Sequence, residues 1–165
     1  QLHGLSASGA PLLVCYNLDR MVLVQTHGCN PIKLAFENGQ DDVEEPFAPV
    51  TTVVPGVRVP KPLGGRLIID VLRASGGHAC AVSDDEVMRV QAQIAAQKGI
   101  NLCPEGAACW AAYGQDVADG KTGPGETSII FNTATGLKWP MPEVELSTAS
   151  REAVACYMEQ IVRQK

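Results

Sequence analysis

Short, β-branched apolar runs alternate along this chain with stretches whose apolar residues recur at helical spacing, and that alternation narrows its possible folds most. MVLVQ (21–25) is fully apolar up to its glutamine, as buried parallel strands are. A helix is predicted from Pro31, where a missing N–H costs nothing, with Gly39 as its stop. From Leu63, Leu67, Ile68, Val71 and Leu72 predict a second helix ended by Gly76 and Gly77. HACAVS (78–83) reads as a second strand. Ser83 followed by Glu86 is a capping box opening a helix that runs to Gly99. INLCP (100–104) is expected to be a third strand, EGAACWAAYGQDVADG a helix, TSIIFNTA a fourth strand, and STASREAVACYMEQIVRQK a closing amphipathic helix. Strand and helix in turn predict an α/β fold with a mostly parallel sheet and flanking helices.

Between these elements lie two loops. DDVEEPFAP offers neither period nor apolar face. TTVVPGVRVPKP holds three prolines, each deleting a ladder donor, and is read as a shaped loop.

Charge and cysteine usage exclude several classes of function. A formal net charge of −5 leaves no basic field for nucleic acid or an anionic bilayer, so neither is expected as a partner. No apolar run reaches the length that spans a bilayer. The six cysteines form no C-x-x-C pair, and the three histidines stand away from metal-ligand spacing; no metal is expected. In 165 residues with 45% hydrophobic content, disulfide staples are not needed, and the thiols are read as buried and reduced in the cytoplasm. The start shows no signal peptide pattern, and a chain beginning at Gln1 is expected to be part of a longer one.

Three short motifs carry possible chemistry. GKT (120–122) lacks the upstream glycine of a phosphate loop, since Gln115 stands there, and is read as a turn. In SIIFNTATGLKWP, Asn132, Thr133 and Thr135 emerge directly from an apolar run, where open parallel sheets collect ligands; the competing reading has these groups satisfying loop amides. In PEGAACWAA, Glu105 sits at a helix start, either as a stabiliser of the helix dipole or beside a ligand that Gly106, Ala107 and Ala108 allow to come close.

Taken in order and spacing, VQTHGCNPI, PGVRVPKPLGGRLIIDVLRASGG, AVSDDEV, PEGAA and NTATGLKWP resemble the C-terminal portion of threonine synthases, in the fold-type II (tryptophan synthase beta-like) pyridoxal-phosphate family. The likeness runs from about Arg20 to Trp139, leaving 1–19 as an unmatched segment and 20–165 as the C-terminal α/β portion of such an enzyme. The resemblance implies pyridoxal 5′-phosphate as cofactor. It places Thr133 on the pyridine nitrogen, Glu105 beside the cofactor and Gly56 against the ring face, Thr133 being the firmest carry-over. It also implies that the Schiff-base lysine belongs to a motif that none of Lys33, Lys61, Lys98, Lys121, Lys138 or Lys165 matches, so no catalytic residue is assigned and the chain is expected to be inactive alone. The implied reaction of the intact enzyme turns O-phosphohomoserine into threonine and phosphate. The alternatives are a threonine or serine dehydratase, a cysteate synthase-like enzyme, or a non-catalytic truncated product. The expected protein partner is a missing N-terminal half or a second copy, because half an enzyme leaves apolar surface uncovered.

Overall fold

The structure is a computed structural model and describes residues 20–140 together with Glu152. The predicted closing helix lies outside the described residues apart from Glu152, which is helical.

Two parallel strands form the centre: β1 (Val22–Thr26) and β2 (His78–Val82), in register from Val22 opposite His78 to Thr26 opposite Val82. Both are short and rich in small or β-branched side chains, which suits strands covered on both faces. Side chains alternate across a strand, and here the alternation builds two layers. Leu23 joins Ile32, Ala35, Val43 and Ile69 on one face. Val24, Cys80 and Val82 join Val87, Val90, Ile94, Leu102 and the alanines 107, 108, 111 and 112 on the other. The first layer comes from α1 (Pro31–Glu37) and α2 (Gly65–Ala74), the second from α3 (Asp84–Lys98) and α4 (Pro104–Ala118). The protein is therefore an α/β structure with parallel strands and flanking helices.

Helix ends follow the sequence signals closely. Pro31 opens α1, and Gly39 follows it in the left-handed region at φ 72°. Gly76 (φ 62°) stops α2 and Gly99 (φ 66°) caps α3, conformations that glycine adopts without steric cost. The α2 face differs from expectation. Its buried residues are Gly65, Ile69 and Leu72, whereas Leu67 points to solvent.

At the start of α3 the capping box is complete. The Glu86 N–H donates to Ser83 Oγ (3.2 Å), while Ser83 N–H and Oγ–H both donate to Glu86 Oε2 (3.0 and 2.9 Å). The Ser83 hydrogen bonds hold the Glu86 carboxyl below its ordinary value of 4.5. A depressed folded value means the carboxylate stabilises the fold above about pH 4.5 and that contribution disappears as pH falls through the folded value. Glu86→Gln should therefore lower stability at neutral pH, and urea titrations should show its deficit against the native chain shrinking in acid; a deficit independent of pH would discount the carboxylate.

The third and fourth predicted strands are not formed. Among the described residues, 100–104 contributes one isolated antiparallel bridge, Leu102 to Thr135, just beyond the predicted fourth strand (127–134), and neither run forms a ladder. Strand-forming residues make a strand only where another backbone offers matching donors and acceptors, and among the described residues β1 and β2 form a ladder only with each other. Ile100, Ile129 and Phe131 are exposed as a result.

Together with Leu63, Leu67 and Leu137, these side chains give the isolated chain an apolar surface that should drive association. Sedimentation over a concentration series should show a rising apparent mass, and a mass fixed at the monomer value would count against it.

Candidate functional site

Three segments singled out in the sequence meet at the amino end of α4. Cys103 occupies the N-cap, its Sγ accepting the Gly106 N–H at 3.3 Å. Pro104 at the first helical position supplies no N–H that would need a partner. The small buried residues Gly106, Ala107 and Ala108 then let other backbone approach this turn.

The first arrival is the proline-rich loop. Glu105 Oε1 accepts the Gly56 N–H at 2.7 Å, so two of the predicted residues are in direct contact. A Cβ at position 56 would lie 2.5 Å from Glu105 Oε1 and 2.7 Å from its Cγ, so the space that glycine leaves open is used by the glutamate side chain. The loop is fastened at both ends. Asp84 accepts the Thr52 hydroxyl and the Val53 N–H, each at 2.7 Å, and the Arg58 guanidinium donates twice to the Thr52 carbonyl (3.0 and 2.6 Å). Thr52 itself is fully buried.

The second arrival is the stretch 132–136. Asn132 Oδ1 accepts the Cys103 N–H at 3.2 Å and lies 3.1 Å from the Cys103 thiol, which donates to it. A Cβ on Gly106 would overlap Asn132 Oδ1, so the approach depends on glycine. On the far side of Thr133, the Leu102–Thr135 bridge and the Gly136 N–H donated to Asn101 O (3.1 Å) complete the attachment. Thr133 is exposed between these two anchors. Gln91, buried within α3, donates to Leu102 O at 2.7 Å and steadies the segment on which both arrivals rest.

The sequence reading placed Thr133, Glu105 and Gly56 in one site but did not foresee the groups that hold them: Asp84, Arg58, Gln91 and the Asn132–Cys103 pair. Of these, only Asn132 carried a signal, as a polar residue following an apolar run.

Cysteine nucleophiles are poorly supported by these surroundings. Burial, followed by the neighbouring Cys103 and the Glu105 carboxylate, raises the Cys109 thiol, and burial with Asp116 nearby pushes Cys80 up to about 12. Such thiols stay protonated near neutrality. Among the described residues no group of three or more His, Cys, Asp or Glu side chains could hold a metal ion, and no helix is long and apolar enough to cross a membrane.

An exposed hydroxyl on a fixed turn, a carboxylate at a helix start and a helix end lined by glycine and alanine fit the ring of a flat heteroaromatic cofactor: a neutral donor for a ring nitrogen, beside backbone that allows close approach. Comparison with known proteins agrees. Residues 12–134 match the family model described as pyridoxal-phosphate dependent enzyme. The chain is 28% identical over 130 residues to a threonine synthase of Methanocaldococcus jannaschii, covering 79% of this chain and 32% of that protein. It is 33% identical over 129 residues to a cysteate synthase of Methanoregula boonei, covering 72% and 30%. The crystal structure of a threonine deaminase from T.th. superposes on 60% of this chain and 35% of that one, with a TM-score of 0.50 and 20% identity, a likeness of fold. The chain thus spans about a third of the length of the relatives it matches. With three quarters of its residues inside that family model and the motif segments gathered at one helix end, the chain belongs to the pyridoxal-phosphate dependent enzymes, whose cofactor is pyridoxal phosphate.

Proposed function

We propose that residues 20–165 form the C-terminal α/β portion of a threonine synthase-like enzyme, which in its complete form converts O-phosphohomoserine to threonine and phosphate. The observation carrying this reading is the convergence of PGVRVP, PEGAA and NTATG at the start of α4, through the Glu105–Gly56 and Asn132–Cys103 contacts. Pyridoxal phosphate, when bound, supplies an electron sink for charge that develops on the amino-acid substrate. Thr133 would donate a hydrogen bond from its hydroxyl to the pyridine nitrogen. A neutral hydroxyl, unlike a carboxylate, does not hold that nitrogen protonated and so tempers the sink, which suits elimination and replacement chemistry. Glu105, whose side chain fills the space that Gly56 leaves, keeps the loop carrying Gly56 against the ring face. The Schiff-base lysine and the groups that bind the two phosphates come from a further part of the enzyme.

A cysteate synthase-like activity is the second reading, favoured by the 33% identity to the Methanoregula boonei protein. Supplying an upstream half in trans, with cofactor, and assaying phosphate release from O-phosphohomoserine separates the two. Threonine formation supports the first reading, cysteate without threonine the second, and no product with either substrate class would reject both.

A further inference from the structure

We propose that Asn132 is a positioning residue, whose carboxamide oxygen ties the stretch bearing Thr133 to the N-terminal turn of α4 and thereby fixes where the Thr133 hydroxyl is presented; the purpose assigned to this tie rests on the cofactor reading above. The geometry is specific. One oxygen, Asn132 Oδ1, takes both the backbone N–H (3.2 Å) and the thiol (3.1 Å) of Cys103, and the same thiol takes the N–H of Gly106 (3.3 Å). Cys103 is fully buried while Asn132 is exposed, so this three-way link joins a surface residue to the edge of the core. Gly106 is part of the same device, because any Cβ there would collide with Asn132 Oδ1. Thr133 is the next residue along, and two positions later the chain is fastened again by the Leu102–Thr135 bridge. With no strand ladder on 127–134, these two fastenings replace the sheet that would otherwise define the backbone at Thr133. A donor aimed at a ring nitrogen needs such definition, since a hydrogen bond weakens steeply as its angle departs from linear.

The test compares Asn132→Ala, which removes the acceptor, with Asn132→Asp, which keeps it; Asn132→Leu, which keeps the volume, serves if the alanine variant does not fold. Two signals are read on the ¹⁵N-labelled 165-residue chain. The first is the alkylation rate of Cys103, followed by peptide mass spectrometry without any cofactor. The second, read with an upstream half supplied in trans, is the shift of the Thr133 amide resonance on titration with pyridoxine 5′-phosphate, which has the ring nitrogen and phosphate but no aldehyde to modify lysines. Removing the acceptor should speed Cys103 alkylation about five- to tenfold, the loss expected for one hydrogen bond, and abolish the Thr133 response, while Asn132→Asp retains both native values. Unchanged alkylation in Asn132→Ala, or equal losses in the alanine and aspartate variants, would overturn the proposal. Should Thr133 of the native chain ignore the probe while Cys103 protection still follows the acceptor, the tie stands and the cofactor reading is what fails.

Discussion

Thr133→Val, in an enzyme assembled from this chain and an upstream half, is expected to lower turnover about 10- to 150-fold with the fold unchanged. That factor corresponds to one hydrogen bond to a polar or charged partner in a water-poor site, about 1.5–3 kcal/mol. Valine matches threonine in shape, so the change removes the hydroxyl and little else. Because Thr133 is exposed in the chain itself, the substitution should leave unfolding in urea within the error of the native value. The informative measurement pairs turnover with the absorbance of bound cofactor: a changed spectrum and reduced turnover place the hydroxyl at the ring, whereas native kinetics would remove Thr133 from the site.

Asp84→Ala should have the opposite profile, a large loss of stability with its functional effect arising through the loop. The carboxylate accepts two hydrogen bonds at 2.7 Å, from Thr52 Oγ and the Val53 N–H, and sits in the first turn of α3, where negative charge is favoured by the helix dipole. Removing it leaves the hydroxyl of fully buried Thr52 without its acceptor. A cost of about 2–4 kcal/mol follows from losing two charge-assisted bonds, reduced for the partial exposure of the aspartate. Equilibrium unfolding in urea measures this directly, and Asp84→Asn, which retains one acceptor oxygen, should recover roughly half. A loss below about 1 kcal/mol would mean that the loop is held mainly by Arg58. Because the same loop carries Gly56 to Glu105, faster amide exchange at Gly56 should accompany the loss.

Local signals carried much of the architecture. Ser83 and Glu86 lie three residues apart and satisfy each other's backbone, so their capping box is written in a tetrapeptide. Gly39, Gly76 and Gly99 end their helices for an equally local reason, the freedom of glycine at positive φ. The runs at 100–104 and 127–134 show where such reading stops. Their composition favours extended backbone, but a strand is a relation between two segments, and among the described residues neither finds a continuous neighbour.

The site divides along the same line. Thr133, Glu105 and Gly56 were named from motifs resembling a known family, and the structure brings Glu105 and Gly56 into contact across 49 residues of sequence. No periodicity announces that Cys103, in a position usually held by serine, threonine, aspartate or asparagine, would cap α4 and bind Asn132, or that Asp84 would reach back to Thr52. The amino-acid order by itself determined where the helices start and stop and the identity of the small residues at the start of α4, because each follows from bonds and sterics within a few neighbours. Only the tertiary structure decided which extended runs became strands, which face of α2 was buried and how two distant loops met at one helix end, because those outcomes depend on which partners the packed chain places within hydrogen-bonding reach.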